Sequence, residues 1–217
     1  RSIQVRADQR RYVMILEQLT VGALEVNCYV LAAQEGGSAV IIDPGDDAGR
    51  IRQVLDKHRL TAGVVINTHG HFDHIGADDA FGVPVYAHQE EIPLLADAKR
   101  NYSVFFTVAF RVKAQVCPVV DGQVIAHGGI ELEVLHLPGH SRGGIGLLMR
   151  VPRQDIVFTG DSLFAGSIGR SDLDGDEGLL IAGIRKKLLI LPDQTLVYPG
   201  HGPSTTIGAE RAQNPFL

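Results

Sequence analysis

The sequence predicts an α/β fold in which two stacked sheets carry helices on their outer faces, an αββα order of four layers. Three observations lead there. A chain of 217 residues with 45% hydrophobic content suits one sizeable core. The order meander, helix, strand, loop occurs twice, although no stretch of sequence repeats. Each group of His or Asp donors sits on a tight loop directly after a strand-like run, which places the candidate site where strand ends of both halves meet. A single domain over residues 13–217 is expected, preceded by a tail, 1–12, that is disordered or left over from cloning.

The elements follow from local pattern. Val13 to Leu19, Asn27 to Ala32 and Ala39 to Ile42 read as an antiparallel opening meander, with Gly22 and Gly36-Gly37 at its turns. Asp46 or Asp47 can cap a helix whose Ile51, Val54 and Leu55 share a face and which ends near His58. Ala62 to Asn67 contains a continuous apolar run, as in a strand covered on both sides. A short helix at Ala77 to Ala80, a strand at Val83 to Ala87 and a helix at His88 to Ala96, interrupted by Pro93, come next. Lys99 to Lys113 gives no clear element; its aromatic residues can pack on the core or cover a substrate. Asp121-Gly122 and Gly128-Gly129 flank a hairpin strand, and Ile130 to Leu137 alternates with Glu131 and Glu133 on the outer face. Ile145 to Met149, Ile156 to Phe158 and Thr195 to Tyr198 are further strands. Leu179 to Leu189 and Thr206 to Gln213 are helices.

Composition excludes several classes. A net charge of −5 with scattered basic residues leaves no footprint for nucleic acid or anionic lipid, so neither a nuclease nor a membrane-bound protein is expected. No apolar run approaches the roughly 18 residues of a membrane span. Cys28 and Cys117 sit in apolar surroundings and are too few for a disulfide framework. They read as buried thiols of a reducing, cytoplasmic compartment. The arginine-rich start has no apolar segment and is not a secretory signal.

The chain is organised around Thr68-His69-Gly70-His71-Phe72-Asp73-His74, three imidazoles and a carboxylate within six positions. In an extended loop His69 and His71 can face one pocket while Asp73 and His74 serve an adjacent one, so the loop can feed two metals. Four donors do not complete two shells. Three later loops offer the rest: His140 in Leu-Pro-Gly-His-Ser, Asp161 in Thr-Gly-Asp-Ser and His201 in Tyr-Pro-Gly-His-Gly-Pro.

The order H-x-H-x-D-H, His, Asp, His resembles the metallo-β-lactamase fold superfamily over nearly the whole chain. Thr-Val-Gly at 20–22, Asn-Cys-Tyr-Val at 27–30, Asp-Pro-Gly at 43–45, Thr-Gly-Asp-Ser-Leu-Phe at 159–164, Gly-Arg-Ser-Asp at 169–172 and Asn-Pro-Phe-Leu at 214–217 look most like the glyoxalase II group. The match is closest to its short, single-domain members; full-length members add a C-terminal helical domain that supplies much of the glutathione site. The resemblance implies that His69, His71 and His140 hold one divalent metal and Asp73, His74 and His201 a second, with Asp161 bridging. The metals are zinc in the first instance, with iron or manganese compatible. It implies hydrolysis of a small thioester such as S-D-lactoylglutathione by a hydroxide shared between the cations, with Asp73 orienting it and Asp161 completing the catalytic pair. Phe164, Gly169 and Arg170 lie on the loop that borders substrate in the family, and Asp43 supports the metal loops from behind. Alternatives on the same scaffold are a persulfide dioxygenase with a single iron on two His and one Asp, and a lactonase or other ester hydrolase, β-lactamase included. A non-enzymatic binding module would not need seven donors.

Four histidines stand outside this set. His58 and His127 read as surface positions at a helix end and a turn, His88 as a cap, and His136 as a core histidine with its hydrogen bonds satisfied.

Overall fold

The computed structural model describes residues 14–106, 108–173 and 175–217. The expected tail over 1–12 and the first residue of the expected opening strand, Val13, lie outside the described residues.

The first half opens with β1 (Ile15–Val21), β2 (Val26–Ala32) and β3 (Ser38–Ile42), the expected meander, followed by α1 (Ala48–Lys57) and β4 (Thr61–Ile66). The turn α2 (Phe72–Ile75), β5 (Val85–His88), the turns α3 (Ile92–Leu95) and α4 (Ser103–Phe106), and β6 (Val116–Val119) complete it. The strands form one six-stranded sheet in sequence order; β1 to β3 pair antiparallel, and β3 to β6 parallel.

The second half supplies β7 (Val124–His127), β8 (Ile130–His136), β9 (Ile145–Val151) and β10 (Ile156–Gly160). The small hairpin of β11 (Leu163–Phe164) and β12 (Ser167–Ile168) precedes α5 (Glu177–Gly183), which runs on as a π turn to Leu188. The chain ends with β13 (Leu196–Pro199), β14 (Thr205–Thr206) and α6 (Ile207–Gln213). Its main sheet runs β14-β13-β10-β9-β8-β7.

Three apolar clusters glue four layers together. Tyr29, Leu31, Val40, Ile42 and Ile66 of the first sheet meet Leu132, Val134, Leu147 and Phe158 of the second. On the far side of the first sheet, Val30, Ile41 and Val65 pack against Ile51 and Leu55 of α1. On the far side of the second, Leu148, Val157 and Val197 pack against Leu180, Ile184 and Ile207. Burial on both faces explains the mostly apolar composition of β2, buried at all seven positions, with Asn27 its one polar member apart from the Tyr29 hydroxyl. The expected αββα sandwich is what forms.

Several local expectations change. β6 was not expected, because Cys117-Pro118 interrupts a four-residue run; its register against β5 is nevertheless regular. The helix expected over His88–Ala96 breaks into a 3-10 turn at Gln89–Glu91 and α3, with Pro93 in its first turn. Asp47 occupies the N-cap of α1 but in the left-handed region (φ 52°), and its side chain caps no helix N–H; it instead accepts from Gly22 N at 3.2 Å. Cys28 is fully buried as expected, whereas Cys117 is only partly covered. Among the described residues no helix is long and apolar enough to cross a membrane.

Candidate metal centre

The parallel part of the first sheet delivers β4 into the histidine loop, and its form corrects the expected extended loop. His71 is the N-cap of α2 (φ −70°, ψ 146°), so Asp73 and His74 ride on a helical turn rather than alternating along a strand. Phe72 stacks on Phe106, with ring centroids 5.2 Å apart. From the second sheet, the β8–β9 loop brings His140, the end of β10 brings Asp161, and the end of β13 brings His201. An isolated bridge pairs His201 with Val26 of β2 across the two sheets.

All seven expected donors converge. His140 Nε2 lies 3.2 Å from His69 Nε2 and 3.0 Å from His71 Nδ1. On the other side, His74 Nε2 lies 3.3 Å from His201 Nε2 and 3.8 Å from Asp73 Oδ2, and His201 Nε2 is 3.5 Å from the same carboxylate. Asp161 stands between, with Oδ2 at 3.6 Å from both His140 Nε2 and His201 Nε2 and Oδ1 at 3.5 Å from His74 Nε2. Three overlapping triads can each hold an ion: His69, His71 and His140; His69, His74 and Asp161; and Asp73, His74 and His201.

These donors fit divalent metal. A tetrahedral shell with ligand bonds of roughly 2.0–2.1 Å puts neighbouring nitrogens about 3.3 Å apart, close to the spacings found. His140 donates its Nδ1–H to Arg170 O at 2.8 Å and His74 donates its Nδ1–H to Asp43 Oδ2 at 3.0 Å, so their Nε2 atoms turn lone pairs inward. Facing lone pairs repel unless a cation lies between them. Asp161 Oδ1 is buried and has no hydrogen-bond partner. Burial and then the neighbouring imidazoles hold His69 well below its usual range, and burial with His140 beside it pushes His71 down to about 3. Burial also disfavours charge on His74, yet the carboxylates of Asp161, Asp73 and Asp43 outweigh it and raise its pKa. Burial opposes ionisation of Asp161, but His74, His140 and His201 keep its pKa below the carboxylate range.

Asp43 is 1% exposed and lies behind the histidine loop. Its two oxygens accept from Thr68 N at 2.7 Å, Thr68 Oγ1 at 2.6 Å and His74 Nδ1. Thr68 Oγ1 in turn lies 3.2 Å from His69 Nδ1, so one carboxylate sets the orientation of two imidazoles. The roles of three side chains escaped the sequence reading. Glu91 is fully buried and accepts from Gly70 N at 2.7 Å and Gly143 N at 2.6 Å, tying the first histidine loop to the His140 loop. Asn27 and Tyr29 hold the His201 loop through Pro199 O and Gly202 O.

The three expected substrate residues divide. Gly169 packs against Asp161, where a Cβ would sit 1.8 Å from its carbonyl oxygen, and Gly200 is constrained alike, a Cβ there meeting Asp161 Oδ1 at 2.1 Å. Phe164 presents its ring edge-on to His201 with centroids 6.3 Å apart. Arg170 reaches the centre through its backbone carbonyl, while its exposed guanidinium is paired with Asp172. Of the histidines left outside, His88 caps as expected, accepting from Glu90 N at 3.4 Å, and stacks on His136 at 4.0 Å. His136 is half-buried and bonded to Arg142 O. His58 bonds Glu17, and His127 bonds Ser38 Oγ.

Two hollows flank the centre. One of about 390 Å³ borders Asp73 and is lined by Val21, Leu24, Phe72, Phe106, Val108 and Phe110 among others. The second, of about 240 Å³, borders His71 and includes Arg100 and Arg142.

Comparison with known proteins matches residues 21–201, the span holding all seven donors, to the Metallo-beta-lactamase superfamily. An uncharacterized protein of Mycobacterium tuberculosis is 46% identical over 94% of this chain and 98% of its own. Hydroxyacylglutathione hydrolase GloC of Haemophilus influenzae is 36% identical over 94% of this chain and 98% of its own. Among solved structures, the BLEG-1 B3 metallo-β-lactamase superposes with a TM-score of 0.83 at 39% identity, covering 94% of this chain and 99% of its own. TTHA1623 in a di-iron-bound form gives 0.79 at 37%, covering 93% and 100%. ETHE1 from Myxococcus xanthus gives 0.76 at 31%, covering 93% and 84%. With the sandwich, the donor order and the matched span all in agreement, the chain belongs to the metallo-β-lactamase superfamily, a superfamily of metallo-hydrolases.

Proposed function

We propose that the protein is a dinuclear metal-dependent hydrolase of small thioesters, of the glyoxalase II type, with S-D-lactoylglutathione as the representative substrate. The observation that carries the reading is Asp161, placed 3.6 Å from a nitrogen of each outer triad, where one carboxylate can serve two ions. His69, His71 and His140 hold one ion and Asp73, His74 and His201 the other. The 36% identity to a hydroxyacylglutathione hydrolase supports the substrate class. Zinc, iron and manganese all suit imidazole with carboxylate, and the di-iron-bound form of a solved structure 37% identical to this chain supports iron among them.

Two such cations supply an acidified water near neutral pH and a Lewis acid for the substrate carbonyl. The chain's own residues do the rest. Asp43 fixes His74 directly and His69 through Thr68, setting which ring nitrogen of each faces the centre. Asp73 borders the larger hollow and can accept a proton from the attacking water there. Phe72 and Phe106 shield that hollow on one side, and the acyl group enters it.

The test is steady-state hydrolysis of S-D-lactoylglutathione by protein loaded separately with zinc, iron and manganese. A kcat/KM at or above ~10⁴ M⁻¹s⁻¹, the lower end of ordinary enzymes, supports the reading. Values orders of magnitude lower with every metal refute it. The runner-up, a mononuclear iron persulfide dioxygenase on two His and one Asp, is supported by the 31% identity to ETHE1; oxygen uptake with glutathione persulfide by the iron-loaded protein alone would favour it.

A further inference from the structure

The smaller hollow beside His71 has a chemistry that the seven donors do not use. It lies between α3, the turn before α4 and the His140 loop, and its lining includes Pro93, Leu94, Arg100, Ser141 and Arg142. Several exposed arginines are neutralised by carboxylates, among them Arg59 by Glu35, Arg150 by Glu133, Arg153 by Asp155 and Arg170 by Asp172. Arg111 and Arg185 are exposed without an ion pair to a described residue, but neither lines this hollow; Arg100 and Arg142 do. Both are exposed, and neither guanidinium has an ion pair or hydrogen bond with any described residue. One acid, Glu90, shares the lining, leaving the hollow with an excess of positive charge in a chain whose net charge is −5.

Position gives that charge a purpose. The hollow opens at His71, whereas the hollow lined by Phe72, Phe106 and Phe110 opens at Asp73. Its volume suits the end of a small ligand rather than a whole one. A guanidinium binds carboxylate or phosphate oxygens in a fixed fork, so two unpaired ones at the rim of a hollow select an anionic group.

We propose that this hollow is an anion subsite, in which Arg100 and Arg142 hold a carboxylate or phosphate on the thiol-bearing part of the substrate while the acyl part enters the hollow at Asp73. The assignment rests on the thioester-hydrolase reading and adds to it the polarity and direction of the bound substrate.

Binding separates the subsite from the chemistry. Calorimetric titration of the zinc-loaded protein uses three uncleavable thioethers: S-propylglutathione, which carries carboxylates, S-propyl-coenzyme A, which carries phosphates, and the neutral S-propyl-N-acetylcysteamine. At least one anionic thioether should bind about ten-fold or more tightly than the neutral one, and whichever does so identifies carboxylate or phosphate as the group held. The double variant Arg100→Gln/Arg142→Gln should remove that advantage and leave the neutral ligand and the metal content unchanged. Added salt should weaken only the anionic ligand. The subsite is overturned if neither anionic thioether outbinds the neutral one, or if the double variant binds like the wild type. Arginine-dependent binding without hydrolysis of any thioester would sink the hydrolase reading alone, and hydrolysis indifferent to thiol charge would sink the subsite alone.

Discussion

Replacing Asp43 with Asn probes the support of the metal centre without touching a donor. The residue sits in the left-handed region at φ 49°, which Asn tolerates as well as Asp, so backbone strain does not confuse the result. The amide keeps one oxygen for Thr68 N but turns an NH₂ towards Thr68 Oγ1 and His74 Nδ1–H. The Thr68 hydroxyl can rotate to accept. His74 can only swing away or move its proton to Nε2, the nitrogen that faces Asp161 and His201. Hydrogen bonds to a charged group contribute about 1.5–3 kcal/mol each, and one is lost outright with a second weakened, so about 3 kcal/mol of stability should go. Loss of such a supporting partner typically lowers metal affinity about 10–100-fold, or roughly 1.4–2.7 kcal/mol. Competition with a chromophoric chelator measures the affinity, and denaturant unfolding of the metal-free protein measures the stability. Wild-type metal affinity in Asp43→Asn would refute the claim that this carboxylate sets the ligand orientation.

Asp161→Ala should abolish hydrolysis and lower metal occupancy, read by activity and elemental analysis together; retention of both removes Asp161 from the centre. Glu91→Gln puts an amide donor against one of two buried backbone N–H groups, Gly70 or Gly143, and should cost about 2 kcal/mol in denaturant unfolding and weaken metal binding. An unchanged unfolding midpoint would show that the strap between the two histidine loops carries no load. His88 is pushed down to about 4 by burial and by His136, below the unfolded value of about 6.5, so protons prefer the unfolded chain between these pH values. Its contribution is complete above about pH 6.5 and is lost as pH falls towards 4. His88→Gln should therefore flatten stability against pH in that window relative to the wild type, by up to one proton of slope; identical slopes would refute the assignment.

The donors were legible because metal chemistry compresses them into short signatures. His69 to His74 crowd one loop, and His140, Asp161 and His201 each follow a strand and a glycine. Asp43 was legible as a support only through the family resemblance of its Asp-Pro-Gly turn. Glu91 was not: its partners are backbone N–H groups 21 and 52 residues away, and no side-chain pattern records a bond to a distant main chain. Arg170 was singled out because its loop borders substrate in the family, yet its carbonyl orients His140, a role any residue with that backbone could fill. Alternation in β8 correctly set Glu131 and Glu133 outward, but Leu135 on the same face is buried, because α5 and its π turn cover that end of the strand. The Lys99–Lys113 stretch resisted reading because its order comes from tertiary contacts: Asn101 and Ser103 side chains bond Phe110 O, and Phe106 stacks on Phe72.

Two ions joined by one carboxylate set a stoichiometry, which is read by titrating metal-free protein with zinc while following hydrolysis of S-D-lactoylglutathione. Activity is predicted to rise until two equivalents are bound and then level off, with Asp161→Ala failing to retain the second equivalent. Full activity at a single equivalent would contradict the dinuclear centre.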